Sequence, residues 1–394
     1  QLAITFTALK NSKEAHEAYD RLQKNYPKSV FIPRALVRQG LLYYNGNENA
    51  KALEKFKLTA SKFPNSSDAL EAVNNAKNIY IDEDKLDEYV AWTKTLPFVN
   101  MSESELEKSS FTIVERKYFD DNNNQNTIIS LTKYLKNFPE GVNALKANYY
   151  LATTYFNEKE FDNAIPYFEK VLKAGQSNYG EDSLAKLAEI QLSKQNYDAA
   201  IPLLERLEQE AYEVENSAFA QSNLMKSYYN KNAHEKALAF AKKVLSKIGI
   251  DASLEFDAKI IIARSSFKIS DFETSKEYYQ TIDKKAVGEL KAEILYYESY
   301  FQNQEKAYEK SNEIVKKLIA EYASYKYWGV RSYVIMGKNY YGLNDAYQAT
   351  FILENVIKNF KQYEDVVKEA QIELTKIKET EAKTNNSINP QIKN

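Results

Sequence analysis

The sequence contains no cysteine, and several other residue types are scarce. Its 394 residues include 2 histidines, 10 glycines and 8 prolines. Without cysteine the chain can form no disulfide, thiol nucleophile or thiolate metal site, and two isolated histidines cannot supply a His/Cys ligand set. Turn-rich β folds and glycine-dependent nucleotide folds need more glycine and proline than this, so the composition favours an all-α protein.

A charge excess of one sign and long apolar runs are also missing. The formal net charge is −2, from 53 basic and 55 acidic residues that are interspersed along the chain. A nucleic-acid-binding surface usually needs a basic face, so no nucleic-acid partner is predicted. No apolar run approaches the ~18 residues that indicate a membrane span. Because the first residue is Gln1 rather than Met, we expect a processed chain or a fragment, and the sequence leaves open whether a signal peptide, a lipid anchor or further repeats precede it.

The residues that could carry chemistry form no recognisable catalytic constellation. His16 lies beside Ala15, and His234 occupies a position that holds aromatic residues elsewhere in the chain, so both predict packing. The motifs GxxxxGK[ST], GxGxxG, HExxH and GxSxG are absent. Acidic pairs such as Glu158 and Glu160 fall in polar turns, where solvated charge is expected. The sequence therefore predicts no enzyme, no cofactor and no metal site.

What the sequence does contain is an internal repeat. Residues 155–172 read YFNEKEFDNAIPYFEKVL, in which a small residue stands between large ones just after a polar turn. The same arrangement recurs, and we call the residue in this usually small position the anchor of its repeat. The anchors recur with a period of 36–38 positions, at Ala15, Ala52, Tyr89, Thr127, Ala164, Ala200, Ala237, Ser275, Ser311 and Ala349. The ninth anchor is either Ala307 or Ser311, and Ser311 keeps the period better.

Other positions recur in phase with the anchors. In six repeats a small residue, such as Gly40 or Gly337, stands 12 positions before the anchor, and a large residue usually stands 4 positions after it. Steps of three, four and seven place residues on one face of a helix. Each repeat thus predicts two amphipathic helices joined by a polar turn, with the small residues allowing close helix contact. Each pair then buries its apolar face by stacking on the next.

This arrangement resembles the tetratricopeptide repeat (TPR), whose usual period is about 34 residues. The resemblance implies an all-α, right-handed α-solenoid of about ten helix pairs over residues 1–361. A capping helix is expected at 362–383, followed by a polar, disordered tail at 384–394. Three repeats end in an aromatic–proline step, at Tyr26-Pro27, Phe63-Pro64 and Phe138-Pro139. That ending is similar to the repeats of bacterial cell-envelope proteins such as BamD and the Tol-Pal-associated repeat protein.

The first helix of each pair lines the concave groove in TPR proteins, and it supplies the candidate partner-binding residues. In four repeats a cation stands one turn before an aromatic residue, in the couples Arg116/Phe119, Lys226/Tyr229, Arg264/Phe267 and Lys338/Tyr341. Aromatic shelves and cations together would hold an extended or helical peptide that carries acidic groups. The alternative is that the aromatics pack between repeats and the cations are solvated.

We therefore predict a non-enzymatic protein–protein interaction scaffold or adaptor that binds protein or peptide partners along the groove. The envelope resemblance implies a periplasmic or outer-membrane-associated location, with a cytoplasmic one still open. Three alternative functions remain. The tyrosine-rich groove would suit a carbohydrate-binding accessory protein, the repeats alone would suit a cytosolic regulatory TPR module, and an α/α-toroid enzyme acting on glycans would need paired carboxylates in a closed ring.

Overall fold

The computed structural model describes residues 1–120 and 123–388, with side chains described as far as residue 383. These residues form 21 α-helices and no β-strand, which confirms the predicted all-α class. They divide into two compact units, Gln1–Leu187 and Ala188–Asn394. In each unit most odd-numbered helices, which are the first helices of the repeats, pack on the even-numbered second helix that follows.

The first unit contains ten complete helices and the start of an eleventh. They are α1 Leu2–Ala8, α2 Ser12–Asn25, α3 Ile32–Asn45, α4 Asn49–Lys62, α5 Ser67–Asp82, α6 Leu86–Thr93, α7 Glu103–Asp120, α8 Asn124–Asn137, α9 Ala144–Asn157, α10 Phe161–Lys173 and α11 Gly180–Ser193. As predicted, α2, α4 and α8 end just before the three aromatic–proline steps, because proline cannot continue a helix and disfavours helical backbone in the preceding residue.

The second unit contains the end of α11 and the remaining ten helices. They are α12 Tyr197–Glu210, α13 Val214–Asn230, α14 His234–Leu245, α15 Ala252–Lys268, α16 Phe272–Asp283, α17 Gly288–Gln304, α18 Tyr308–Glu321, α19 Lys326–Gly342, α20 Ala346–Asn359 and α21 Glu364–Ile388. The last helix occupies the position of the expected capping helix and runs to residue 388 rather than 383. Residues 389–394 of the expected tail lie outside the described residues.

The small positions bring the two helices of a repeat into close contact, as the repeat pattern predicts. A Cβ atom on Gly40 would lie 2.6 Å from Phe56 Cε1, and one on Gly337 would lie 2.9 Å from Leu353 Cγ. In both repeats the glycine holds the small position before the anchor, and the residue it meets holds the large position after the anchor. The large side chain therefore occupies the space that a side chain in the small position would need.

The structure identifies Ser311, rather than Ala307, as the anchor of the ninth repeat. Ser275 Oγ donates a hydrogen bond of 2.8 Å to the carbonyl of Ala263 on the preceding helix. Ser311 Oγ donates the same bond, at 2.7 Å, to the carbonyl of Ser299. Ser311 therefore stands in the position equivalent to Ser275, whereas Ala307 is the residue that precedes α18.

The turn between the two helices of a repeat has a recurring left-handed residue. Among the described residues nine non-glycine residues have φ between 54° and 67°. Each stands five positions before an anchor, at Lys10, Asn47, Asp84, Lys159, Gln195, Asn232, Ser270, Lys306 and Asn344. The next residue then donates its amide to a carbonyl in the first helix, as Glu160 does to Tyr155 at 2.9 Å. Glycine is the residue most often found in this helix-ending motif. Because these turns use other residues instead, the sequence did not reveal the motif.

One second helix is shorter than its neighbours. Helix α6 has 8 residues, whereas α4 and α8 each have 14. The chain leaves α6 through Leu96-Pro97, and the side chains of Phe98, Val99 and Met101 pack against a core cluster formed by residues of α3 to α7 and Leu96. Apolar side chains of this connection therefore pack where the last turns of a full-length second helix would lie.

Candidate functional site

All eight predicted binding residues lie on first helices. Arg116 and Phe119 lie on α7, Lys226 and Tyr229 on α13, Arg264 and Phe267 on α15, and Lys338 and Tyr341 on α19. The members of each couple are three positions apart and so share a helix face. The first couple belongs to the first unit and the other three to the second.

In the first unit, Arg116 is held by the preceding repeat. Its guanidinium donates to Asp82 Oδ1 at 2.7 Å and to the carbonyl of Ile81 at 2.5 Å. Asp82 also accepts a hydrogen bond of 2.6 Å from the hydroxyl of Tyr44. One carboxylate thus links α3, α5 and α7. Phe119, one turn after Arg116, remains 66% exposed.

In the second unit, Lys226 pairs with the following repeat. Its Nζ lies 2.8 Å from Asp257 Oδ2 on α15, and the two side chains are 47% and 40% exposed. A pair this exposed contributes about 0–1 kcal/mol to stability, so both charges stay accessible at little cost. The ring of Tyr229 lies edge-on to that of His234, with centroids 6.0 Å apart. Burial lowers the pKa of His234, which supports a packing role for this imidazole.

Arg264 makes a much more buried pair. Its Nε and Nη2 donate to the two carboxylate oxygens of Glu293 at 2.8 and 2.6 Å. Glu293 is only 3% exposed and also accepts a hydrogen bond of 2.8 Å from Tyr279. Hydrogen bonding to Glu293 is the main cause that raises the pKa of Arg264. This two-fold hydrogen-bonded pair joins α15, α16 and α17 and is part of the core.

The last couple connects α19 to α21. Lys338 Nζ lies 2.8 Å from Glu369 Oε1. The hydroxyl of Tyr341 donates to Glu381 Oε1 at 3.2 Å. Both predicted binding residues therefore hold the C-terminal helix against the preceding repeat.

The aromatic members differ in accessibility. The ring centroid of Phe267 lies 4.6 Å from that of Tyr297 and 5.0 Å from that of Tyr300, both on α17. Phe267 thus packs between two repeats, whereas Phe119 presents most of its ring to solvent. The sequence left two roles open for these aromatic residues, packing between repeats and contact with a partner. Phe267 has the first role, and only Phe119 is exposed enough for the second.

The three ion pairs of the second unit share one register. The acid follows its cation by 31, 29 and 31 positions, in the pairs Lys226–Asp257, Arg264–Glu293 and Lys338–Glu369. Since one repeat spans 36–38 positions, each acid lies one repeat later and about two helical turns nearer the start of its helix. The three predicted cations of the second unit are therefore half of a ladder of ion pairs between odd-numbered helices. The other half consists of the acids. The sequence could have revealed them, because an acidic residue follows each of these cations at slightly less than one repeat length.

This pairing changes what the face offers to a partner. Each of the four predicted cations already has a carboxylate from its own chain, so the first helices present paired charges rather than a bare cationic groove. An acidic peptide that binds these cations would have to compete with Asp82, Asp257, Glu293 or Glu369. The exposed pair of Lys226 yields to such competition far more readily than the buried pair of Arg264.

The first unit also contains two cavities. One of about 700 Å³ lies between α1, α2 and α3, with an apolar lining that includes Leu2, Leu22 and Phe31. The other, about 360 Å³, lies between α6, α7 and α8, where the short α6 leaves a cleft beside the ion pair Lys133–Asp87. Neither lining contains a histidine.

Two further properties bear on the range of functions. In the part of the chain that the structure describes, no cluster of three or more His, Cys, Asp and Glu side chains could hold a metal ion. Within the same residues, no helix combines the length and apolar character that crossing a membrane requires.

Comparison with known proteins gives a family match for part of the chain. The sequence model of the tetratricopeptide repeat matches residues 1–29, 34–66 and 146–174, which contain the anchors Ala15, Ala52 and Ala164. No curated protein matches the chain in sequence.

Several solved structures align with most of the chain. The C-terminal part of a TPR repeat-containing protein from Cytophaga hutchinsonii is 18% identical, with a TM-score of 0.35, over 65% of this chain and 97% of that one. A tetratricopeptide repeat protein from Parabacteroides merdae is 11% identical, with a TM-score of 0.26, over 86% and 98% of the two chains. Yeast Tom70 is 12% identical, with a TM-score of 0.31, over 94% and 87%.

Proposed function

We propose, from the confirmed resemblance to the tetratricopeptide repeat, that this chain is a non-enzymatic scaffold that binds protein partners along its first helices. The observation that carries the proposal is the in-phase alignment of the first helices within each unit. Side chains of successive first helices meet there, as in the ion-pair ladder of the second unit. Stacked repeats of this kind present long surfaces suited to protein partners.

The accessible members of the set are the best candidates for direct contact. Phe119 offers an exposed ring beside a fixed guanidinium, and Lys226 offers an exposed ammonium whose carboxylate partner is also exposed. Exposed aromatics and cations on a pre-formed surface are typical contributors to protein binding. Arg264 and Phe267 are assigned a supporting role, because they contact Glu293, Tyr297 and Tyr300 of the same chain.

We also propose a location in a bacterial cell envelope, in the periplasm or associated with the outer membrane. The support is the aromatic–proline ending of three repeats, which resembles envelope TPR proteins. Fractionation of the native cell, followed by detection of the untagged protein, would test this. Recovery with the periplasmic or outer-membrane fraction is expected, and recovery in the cytosol alone would favour a cytosolic regulatory module.

The protein-binding proposal can be tested by affinity purification of the full chain from its native cell. The variant Phe119→Ala with Lys226→Gln removes two exposed groups from first helices, so the fold should be kept while partner recovery falls. The matched control is Ile129→Ala with Lys231→Gln, which removes an exposed residue of a second helix and an exposed turn lysine. Equal partner recovery by both double variants, or no specific partner of the unaltered chain, would contradict the proposal.

The carbohydrate alternative has less support in the side-chain geometry. The most exposed tyrosines, Tyr26, Tyr212 and Tyr347, lie outside the first helices. The first-helix tyrosines Tyr296 and Tyr297 are buried. A glycan array would separate the two functions, since a scaffold for proteins should bind none of its glycans specifically.

A further inference from the structure

The ion-pair ladder of the second unit has one break, between α17 and α19. At this step the residue in the cation position is Tyr300, and the residue 31 positions later, in the acid position, is Arg331. The order cation then acid, found at the three other steps, is replaced by tyrosine then arginine. This step therefore has a positive charge where the others have a carboxylate.

Arg331 lies against aromatic rings and has no carboxylate partner among the described residues. Its guanidinium carbon is 4.8 Å from the ring centroid of Tyr296 and 5.9 Å from that of Tyr327. Its Nη1 donates to the Tyr327 hydroxyl at 3.3 Å, and its Nε is buried without a hydrogen-bond partner. Glu369, the acid that contributes to the field at Arg331, pairs instead with Lys338 at 2.8 Å.

The surrounding tyrosines cannot balance this charge. Burial raises the pKa of Tyr297 to about 12 and raises that of Tyr296 as well. Both phenols are therefore neutral at physiological pH, whereas an arginine stays protonated. A partly buried charge without a directly bonded carboxylate is costly, and the nearby Asp365 is already engaged, because it accepts a hydrogen bond of 2.7 Å from Tyr327. A guanidinium stacked on aromatic rings keeps an edge that can take a carboxylate. Arg331, Tyr300 and Tyr327 are each partly exposed, so a ligand can reach them.

We propose that Arg331 is a binding site for a carboxylate side chain, aspartate or glutamate, of a protein partner. The partner supplies in trans the acid that Asp257, Glu293 and Glu369 supply from this chain at the other steps. Tyr296 and Tyr327 fix the plane of the guanidinium, and Tyr300 holds the cation position of the neighbouring helix. This inference rests on the proposed scaffold function and names the chemistry that one part of the surface recognises.

The site can be probed by NMR on the full chain with 15N-labelled arginine. The chain has seven arginines, and the Nε–H signal of Arg331 is assigned by its loss in Arg331→Lys. The probes are two end-capped peptides of equal length, hexaglutamate and hexaglutamine. We expect a saturable shift of the Arg331 signal with hexaglutamate, no shift with hexaglutamine, and no shift of Arg206. That arginine pairs with Glu210 on a second helix and serves as the internal control.

Binding of hexaglutamate should weaken at least about tenfold in Arg331→Gln, since charge-assisted hydrogen bonds are lost. It should not change in Arg206→Gln, and unchanged circular dichroism of both variants would confirm their folding. An Arg331 signal that stays in place while the peptide binds elsewhere, or no binding at all, would overturn the inference. If the unaltered chain and Arg331→Gln then capture the same partner equally, the scaffold function stands without this site. If the unaltered chain captures no partner, the scaffold function itself fails.

Discussion

The two units use equivalent first-helix positions in different ways. In the second unit the cations reach forward to an acid of the next first helix, and Glu293 in the middle of this ladder is 3% exposed. In the first unit Arg116 reaches back to Asp82, which is 41% exposed and shared with Tyr44. The same position of the repeat thus joins three helices through a buried acid at Arg264 and pairs with an exposed acid at Arg116. Burial of the acid decides which role the cation has.

Removal of the buried acid should have the largest effect. Glu293→Gln leaves the partly buried Arg264 without its counter-charge, which should cost up to about 3–5 kcal/mol of the free energy of unfolding. The corresponding change in the first unit, Asp82→Asn, should cost below about 1 kcal/mol because its pair is exposed. Urea denaturation measures both, and hydrogen exchange assigns the loss to a unit. Similar losses for the two variants would remove the distinction between the units.

Two glycines of α19 should respond in opposite directions. Gly337→Ala places a Cβ 2.9 Å from Leu353, and overpacking of this kind costs about 1–3 kcal/mol. Gly329→Ala meets its nearest atom, on Leu318, only at 3.9 Å. It should therefore stabilise the helix by about 0.5–1 kcal/mol through helix propensity.

Thermal denaturation of the two glycine variants gives the comparison directly. A midpoint that falls for Gly337→Ala and rises for Gly329→Ala is expected. The matching change in the first unit, Gly40→Ala, should also lower the midpoint, because its Cβ would lie 2.6 Å from Phe56. A rise for Gly40→Ala would show that the close helix contact is not shared by both units.

The left-handed turn residues should give a smaller gain when changed to glycine. Lys159 has φ of 61° and Lys306 has φ of 60°, one in each unit. Relief of a strain of about 1–2 kcal/mol outweighs the extra unfolded-state entropy of glycine, about 0.5–1 kcal/mol. Lys159→Gly and Lys306→Gly should therefore each raise the thermal midpoint slightly, whereas Lys159→Ala should not. Equal midpoints for the glycine and alanine variants would argue against strain at this position.

The smallest predicted effect is a pH dependence specific to the first unit. Burial alone would raise the pKa of Glu107, but hydrogen bonds from Tyr134 and Asn143 lower it further than burial raises it. The stability from this carboxylate is therefore complete above the unfolded-state pKa of 4.5 and is lost as the pH falls through the lower folded-state value. Urea midpoints should fall more steeply below pH 4.5 in the unaltered chain than in Glu107→Gln. Parallel pH profiles would contradict this assignment.

The helix pairs were predictable because their signal is local and repeated. Nearly every repeat keeps the same period. That period identifies anchors such as Ala52 and Ala349, and the glycines that stand before them in the small position. The acids Asp257 and Glu293 were harder to find, because they follow their cations by a period shortened by two helical turns. The left-handed turn at Lys159 was missed since lysine carries no turn preference in the sequence. The short α6 depends on how Leu96 and its neighbours fill the core, which no local pattern encodes.

Partners are proposed to contact the first helices rather than the second, and site-specific photo-crosslinking tests this most directly. A photoreactive phenylalanine analogue placed at Phe119 on α7, 66% exposed, is compared with the same analogue at Ile129 on α8, 58% exposed. Because exposure is nearly matched, the position on a first or a second helix is the main difference. We predict partner adducts in the native cell from position 119 and none of the same partner from position 129. Equal adducts at both positions, or adducts at 129 alone, would contradict this placement of the partner.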